Sequence, residues 1–120
     1  MERKSFRKLR AAASSDHHNV YVVLLSRGVG RMKRVRLENP AASPDKPCVY
    51  VGMSGLTPDE RFENHKAGVK SSWFVHKYGE SLLPSLYEFL NPMPYAAALI
   101  MEKELAEDLR QQGYTVCGGH

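Results

Sequence analysis

The sequence is poor in cysteine, with two residues, Cys48 and Cys117. Two thiols can make one bridge but not a disulfide framework. Neither has metal-ligand spacing with any histidine, and the pair His17-His18 has no obvious partner ligands. Long hydrophobic runs are also missing. The longest, Val20–Leu25 and Tyr95–Met101, fall far short of the roughly 20 apolar residues of a membrane span, so no membrane partner is expected. The N-terminus is basic with no apolar segment behind it, which argues against a secretory signal. A cytoplasmic chain with both thiols reduced is the expectation. Gly28-x-Gly30 precedes no helix pattern, which excludes a dinucleotide loop. There are no internal repeats and no low-complexity segment.

What is present suits one folded unit. The chain has 120 residues, 42% hydrophobic and 25% charged, enough to bury one core without metals or bridges. The net charge of +4 is unevenly spread. Residues 1–36 hold ten Lys/Arg against Glu2 and Asp16, while residues 37–120 hold seven bases and eleven acids. Segregated positive charge suits a polyanionic partner; a solvated basic tail explains the same numbers.

Residues 1–18 read as a basic arm, with a short helix over 5–13, followed by one domain over 19–120. Asn19–Leu25 and Cys48–Met53 read as strands that are apolar on both faces, hence central. The stretch 26–47 is a long connection in which the alternation at 33–37 permits an extra edge strand. Thr57-Pro58-Asp59-Glu60 carries a capping box with proline at the first helical position. That helix should reach about Ala67 and close at Gly68. Ser71-Ser72 can cap a short helix to Tyr78. Leu82–Leu90 is a third strand candidate, with Pro84 restricting its start. A long helix follows Pro94 and stops at Gly113, and 114–117 is extended. The expected class is α+β, a small, mostly antiparallel three-stranded sheet flanked by helices.

Glu102 is the most informative residue. On a wheel of about 100° per residue, Tyr95, Ala98, Leu99, Leu105, Ala106 and Leu109 lie within roughly 60° of it. The charged residues Lys103, Glu104, Glu107 and Asp108 lie about 100° or more away. Glu102 is thus a carboxylate aimed inward, which must meet a cation, a hydrogen-bond network, a metal or a wet cleft. The plain structural alternative is a buried ion pair with Arg61. Arg61 and His65 lie four apart on the helix opened by Thr57 and share a face. Arginine offers planar donors to phosphate and histidine exchanges protons near neutrality; a surface helix with Arg61 paired to Asp59 or Glu63 is the alternative. Tyr21 and Tyr50 sit in the two apolar strands, where a buried phenol needs a partner.

Together these residues resemble the GIY-YIG endonuclease domain. Asn19-Val20-Tyr21 looks like its first motif and Tyr50-Val51-Gly52 its second. Met53 through His65 is similar to its turn and helix, with Arg61 at the arginine position and His65 one turn on. Ala98 through Leu105 resembles the segment holding its metal-binding glutamate, with Glu102 in that place. The resemblance spans about residues 19–112. Asn19 stands where the first glycine usually is, and no asparagine follows the last helix. The resemblance implies Mg²⁺-dependent (or Mn²⁺-dependent) hydrolysis of DNA phosphodiesters. Glu102 would hold the ion and Arg61 would contact phosphate oxygens. Tyr21 would be the general base, with its proton relayed through His65, and Tyr50 would position the water or phosphate. Arg31, Lys33, Arg34 and Arg36 would grip the DNA backbone, with help from the arm. Branched or damaged DNA, in repair or recombination, is one candidate substrate. A chain this small would take its targeting from a partner protein or a second copy. The alternative is a weak or inactive nucleic-acid-binding module of the same fold.

Overall fold

The computed structural model describes residues 16–120; the expected helix at 5–13 and most of the basic arm lie outside them. Four strands form one sheet: β1 (Asn19–Leu25), β2 (Cys48–Ser54), β3 (Gly79–Leu82) and β4 (Thr115–Gly118), in the order β3-β1-β2-β4. β1 runs antiparallel to β2 and β3, whereas β2 and β4 are parallel. The class is α+β, as expected, but the sheet has four strands and is mixed. The two runs read as apolar on both faces are the two central strands; Val20, Val22, Val23, Val49 and Val51 are fully buried.

Helices α1 (Lys33–Glu38), α2 (Pro58–Ala67), α3 (Trp73–Tyr78) and α4 (Tyr95–Gln111) flank the sheet. The start of α2 is as expected: Thr57 and Glu60 complete the capping box, Pro58 opens the helix, and Gly68 closes it at φ +82°. α4 keeps its wheel only in part. Ala98, Glu102, Leu105, Ala106 and Leu109 are buried, but Tyr95 and Leu99 are exposed.

Two segments differ from expectation. The stretch 33–37 is helical, not an edge strand. Val35 is its only buried residue and Leu37 is 72% exposed, so the apparent alternation buries nothing with period two. The third strand lies earlier than Leu82–Leu90. α3 runs straight into β3 at Gly79, where an added Cβ would sit 2.5 Å from the Val75 carbonyl oxygen, so only glycine allows the turn. Pro84 then ends the ladder, and Pro84–Leu86 and Glu88–Leu90 form 3₁₀ turns.

Side-chain amides finish the sheet where strands run out. Asn91 Nδ2 donates to the Val20 carbonyl (2.7 Å) and its Oδ1 accepts from the Val20 N–H (2.9 Å). Asn39, 4% exposed, does the same for β4: its Nδ2 donates to Val116 O and Val35 O, and its Oδ1 accepts from the Val116 N–H at 2.8 Å. Each covers an edge that would otherwise expose unpaired backbone.

Candidate active site

The register of β1 and β2 builds the site. Tyr21 faces Gly52, and Val23 faces Tyr50. Because side chains alternate, Tyr21, Tyr50 and Gly52 share one face of the sheet. Gly52 is the gap that admits the Tyr21 ring: a Cβ there would lie 2.5 Å from Tyr21 Oη and 2.6 Å from Cζ.

α2 brings His65 onto the same face. Its ring is fully buried, with centroids 5.9 Å from Tyr21 and 5.8 Å from Tyr50; the two tyrosines are 6.3 Å apart. Tyr21 Oη and His65 Nε2 are 2.7 Å apart. The Ser72 backbone N–H donates to His65 Nδ1 at 3.0 Å. A backbone N–H can only donate, so Nδ1 is the bare nitrogen and Nε2 carries the proton. His65 therefore donates to the Tyr21 oxygen. Burial, then the Arg61 charge, lowers its pKa to about 4, which keeps it neutral. The expected proton relay from Tyr21 to His65 is thus corrected: the nitrogen facing the phenol already holds a proton.

The internal ion pair between Arg61 and Glu102 is not formed. Arg61 donates to the carbonyls of Val69 (3.3 Å) and Lys70 (2.7 Å), which pins the 69–72 loop and with it Ser72. It nevertheless acts on both phenols. Burial is the main force raising the Tyr21 pKa, with help from Tyr50 and Glu102; the Arg61 charge opposes it. The Tyr50 pKa is also raised, chiefly by burial, and the Arg61 charge opposes that rise. Glu102 is 8% exposed, and burial raises its pKa. Its charge is felt at Tyr21 and at Tyr50. Among the described residues it makes no ion pair. Tyr21, Tyr50 and His65 therefore pack together, with Tyr21 and His65 inside and Tyr50 and Arg61 half-buried, and the charges of Arg61 and Glu102 both reach the two phenols.

A metal has one obvious anchor. Among the described residues no group of three His, Cys, Asp or Glu could cage an ion. A single unpaired carboxylate suits Mg²⁺, which keeps several waters and takes one or two protein carboxylates. His17 and His18 stack on each other at 4.7 Å and gain no third ligand. Cys48 and Cys117 are free and buried, and burial pushes the Cys117 thiol up to about 12, leaving it unreactive.

The four cations expected to grip DNA are not one stripe. Arg31 and Arg36 line a cavity of about 510 Å³ together with Arg27, Lys46, Ser43 and Thr115. Arg34 instead pairs with Glu38 at 3.7 Å, and Lys33 lies outside the cavity, because the helix turns successive side chains apart. The cavity floor includes Cys48 and Thr115, neighbours in register two positions from Tyr50 and Cys117. Its lining residue Cys48 therefore lies about 7 Å along β2 from Tyr50. Sequence reasoning missed Arg27 and Lys46 here, and also Ser72, whose contribution through its backbone leaves no side-chain signature. No match to this chain is found among protein-family models, curated proteins or solved structures.

Proposed function

We propose that the protein is a metal-dependent endonuclease of the GIY-YIG type that hydrolyses DNA phosphodiester bonds. The observation that carries this reading is the cluster itself: two phenols and a neutral histidine packed together on one face of a small sheet, with a guanidinium and an unpaired buried carboxylate whose charges reach both phenols. A purely structural core has no need of an uncompensated acid beside two tyrosines.

Glu102 would hold Mg²⁺ or Mn²⁺. When bound, the ion supplies charge neutralisation at the phosphate and stabilisation of the leaving oxygen. Arg61 keeps guanidinium N–H groups beyond the two given to carbonyls, and these meet non-bridging phosphate oxygens. Tyr21 takes the proton of the attacking water. His65 Nε2–H and Arg61 both stabilise its oxygen as an anion, against the burial that disfavours it. Tyr50 orients the water or the phosphate. Arg27, Arg31, Arg36 and Lys46 hold a phosphate further along the strand, so binding weakens steeply with salt. The reading places the chain in the cytoplasm, with its two buried thiols reduced.

The test is conversion of supercoiled plasmid to open circle with Mg²⁺ or Mn²⁺. Wild type should nick, and Glu102→Ala, Tyr21→Phe and Arg61→Ala should not, while Glu102→Ala and Tyr21→Phe keep DNA affinity. Nicking unchanged in these variants refutes the roles. Salt-sensitive binding without nicking by wild type selects the non-hydrolytic binding module.

A further inference from the structure

The segment between α2 and β3 carries a feature that the hydrolytic site does not use. From Lys66 to Gly79 the chain has Lys66, Lys70, Lys77 and no Asp or Glu. Within it stands Trp73, the only tryptophan of the protein, 54% exposed at the start of α3. Trp73 differs from the other exposed apolar residues in belonging to an aromatic cluster with Phe74 and Tyr78, a preformed surface for stacking.

This indole is held rather than loose. Phe74 and Tyr78 meet it edge-on, with centroids at 5.2 and 5.5 Å, and Lys77 Nζ lies 5.2 Å from its ring centre. It is also tied to the site. The residue before it is Ser72, whose N–H fixes His65. The loop before that is gripped by Arg61, and Lys70 there holds a left-handed backbone at φ +47°, uncommon for a residue with a side chain. The same two contacts that set the phosphate-handling residues therefore set the position of the indole.

An exposed aromatic face amid cations, beside a phosphate site, is the arrangement that stacks unpaired bases. A base in continuous duplex has both faces covered by its neighbours and cannot use it. We propose that Trp73 stacks on an unpaired nucleobase next to the bond being cleaved, so that the substrate class is DNA with a single-stranded segment at the cut, such as a melted stretch of a negatively supercoiled plasmid, rather than relaxed, uninterrupted duplex. This rests on the nuclease reading only for its place beside the scissile bond; the stacking itself is testable without hydrolysis.

The experiment is a tryptophan-fluorescence titration of the full chain, in chelator, with three probes of equal length: a thymine homopolymer, an abasic homopolymer with the same phosphates, and a blunt duplex. Trp73 is the only indole, so its emission reports directly. The thymine strand should quench it strongly, and the abasic strand and duplex should bind with little quenching. By anisotropy of labelled strands, Trp73→Ala should lose roughly 5- to 150-fold in affinity for the thymine strand and almost nothing for the abasic one. Trp73→Tyr should recover most of the loss. Unchanged emission at saturation, or equal quenching by the abasic strand, overturns the proposal whether or not Trp73→Ala folds. Quenching without nicking in Mg²⁺ leaves it standing and sinks the nuclease reading; nicking without quenching does the reverse.

Discussion

Replacing Gly52 with alanine puts a methyl group where the Tyr21 phenol already lies. The new Cβ would be 2.5 Å from Oη and 2.6 Å from Cζ, against 3.4 Å or more for an ordinary contact. The ring must retreat by about 1 Å. It has nowhere to go, because Tyr21 is 1% exposed and its hydroxyl already lies 2.7 Å from a fully buried His65. Overpacking costs about 1–3 kcal/mol. A broken buried hydrogen bond adds about 1–3 kcal/mol. A total of about 2–6 kcal/mol is a large share of the roughly 5–15 kcal/mol that holds a domain together. A displacement of about 1 Å in the general base should also cut nicking by about 100-fold. Urea unfolding followed by circular dichroism gives the first number and plasmid nicking the second. Gly28→Ala is the control, since its Cβ would meet nothing within 4 Å. Were Gly52→Ala to match the control in both assays, the packing of Tyr21 on Gly52 described here would be wrong.

Other outcomes follow from the same groups. Because burial raises the Tyr21 pKa, its basic form gains about tenfold per pH unit through the neutral range; nicking should climb from pH 7 to pH 9, and a plateau by pH 7 would exclude Tyr21 as the base. His65 titrates near 4 when folded and near 6.5 when unfolded. The unfolded chain therefore takes its proton first as pH falls, and stability present above pH 6.5 should decline towards pH 4 by about 3 kcal/mol. His65→Gln can keep both hydrogen bonds without titrating, and should flatten that decline in urea midpoints; an identical slope would show that His65 does not carry it. Asn39→Ala leaves the Val116 N–H and carbonyl of β4 without their amide partner, and should cost about 2–4 kcal/mol by chemical denaturation; a loss under about 0.5 kcal/mol would mean water replaces the amide.

The central strands, the capped helix and the inward face of Glu102 were legible because each is written in local pattern. Two both-face apolar runs can only be interior strands, and Thr57, Pro58 and Glu60 together describe one helix start. The site followed from those elements, since register places Tyr21 opposite Gly52 and helical spacing puts His65 one turn beyond Arg61. Misreadings arose where long-range partners decide. Residues 33–37 alternate in polarity but form a helix, and the β4 edge is closed instead by the side chain of Asn39, 77 residues away from Val116 in sequence. The direction of the His65 proton depends on the Ser72 backbone, and backbone donors carry no residue-type signal. The basic stretch was visible as composition, yet its division into cavity-lining Arg31 and Arg36 and a paired Arg34 needed the turn of a helix that the alternation concealed.

The most direct measurement is anomalous diffraction from crystals soaked in Mn²⁺. One ion should appear on the Glu102 carboxylate, with water filling the rest of its shell. A Glu102 side chain that stays bare at saturating Mn²⁺, or that swings to pair with Arg61 instead, would contradict the assignment of this cluster to phosphodiester hydrolysis.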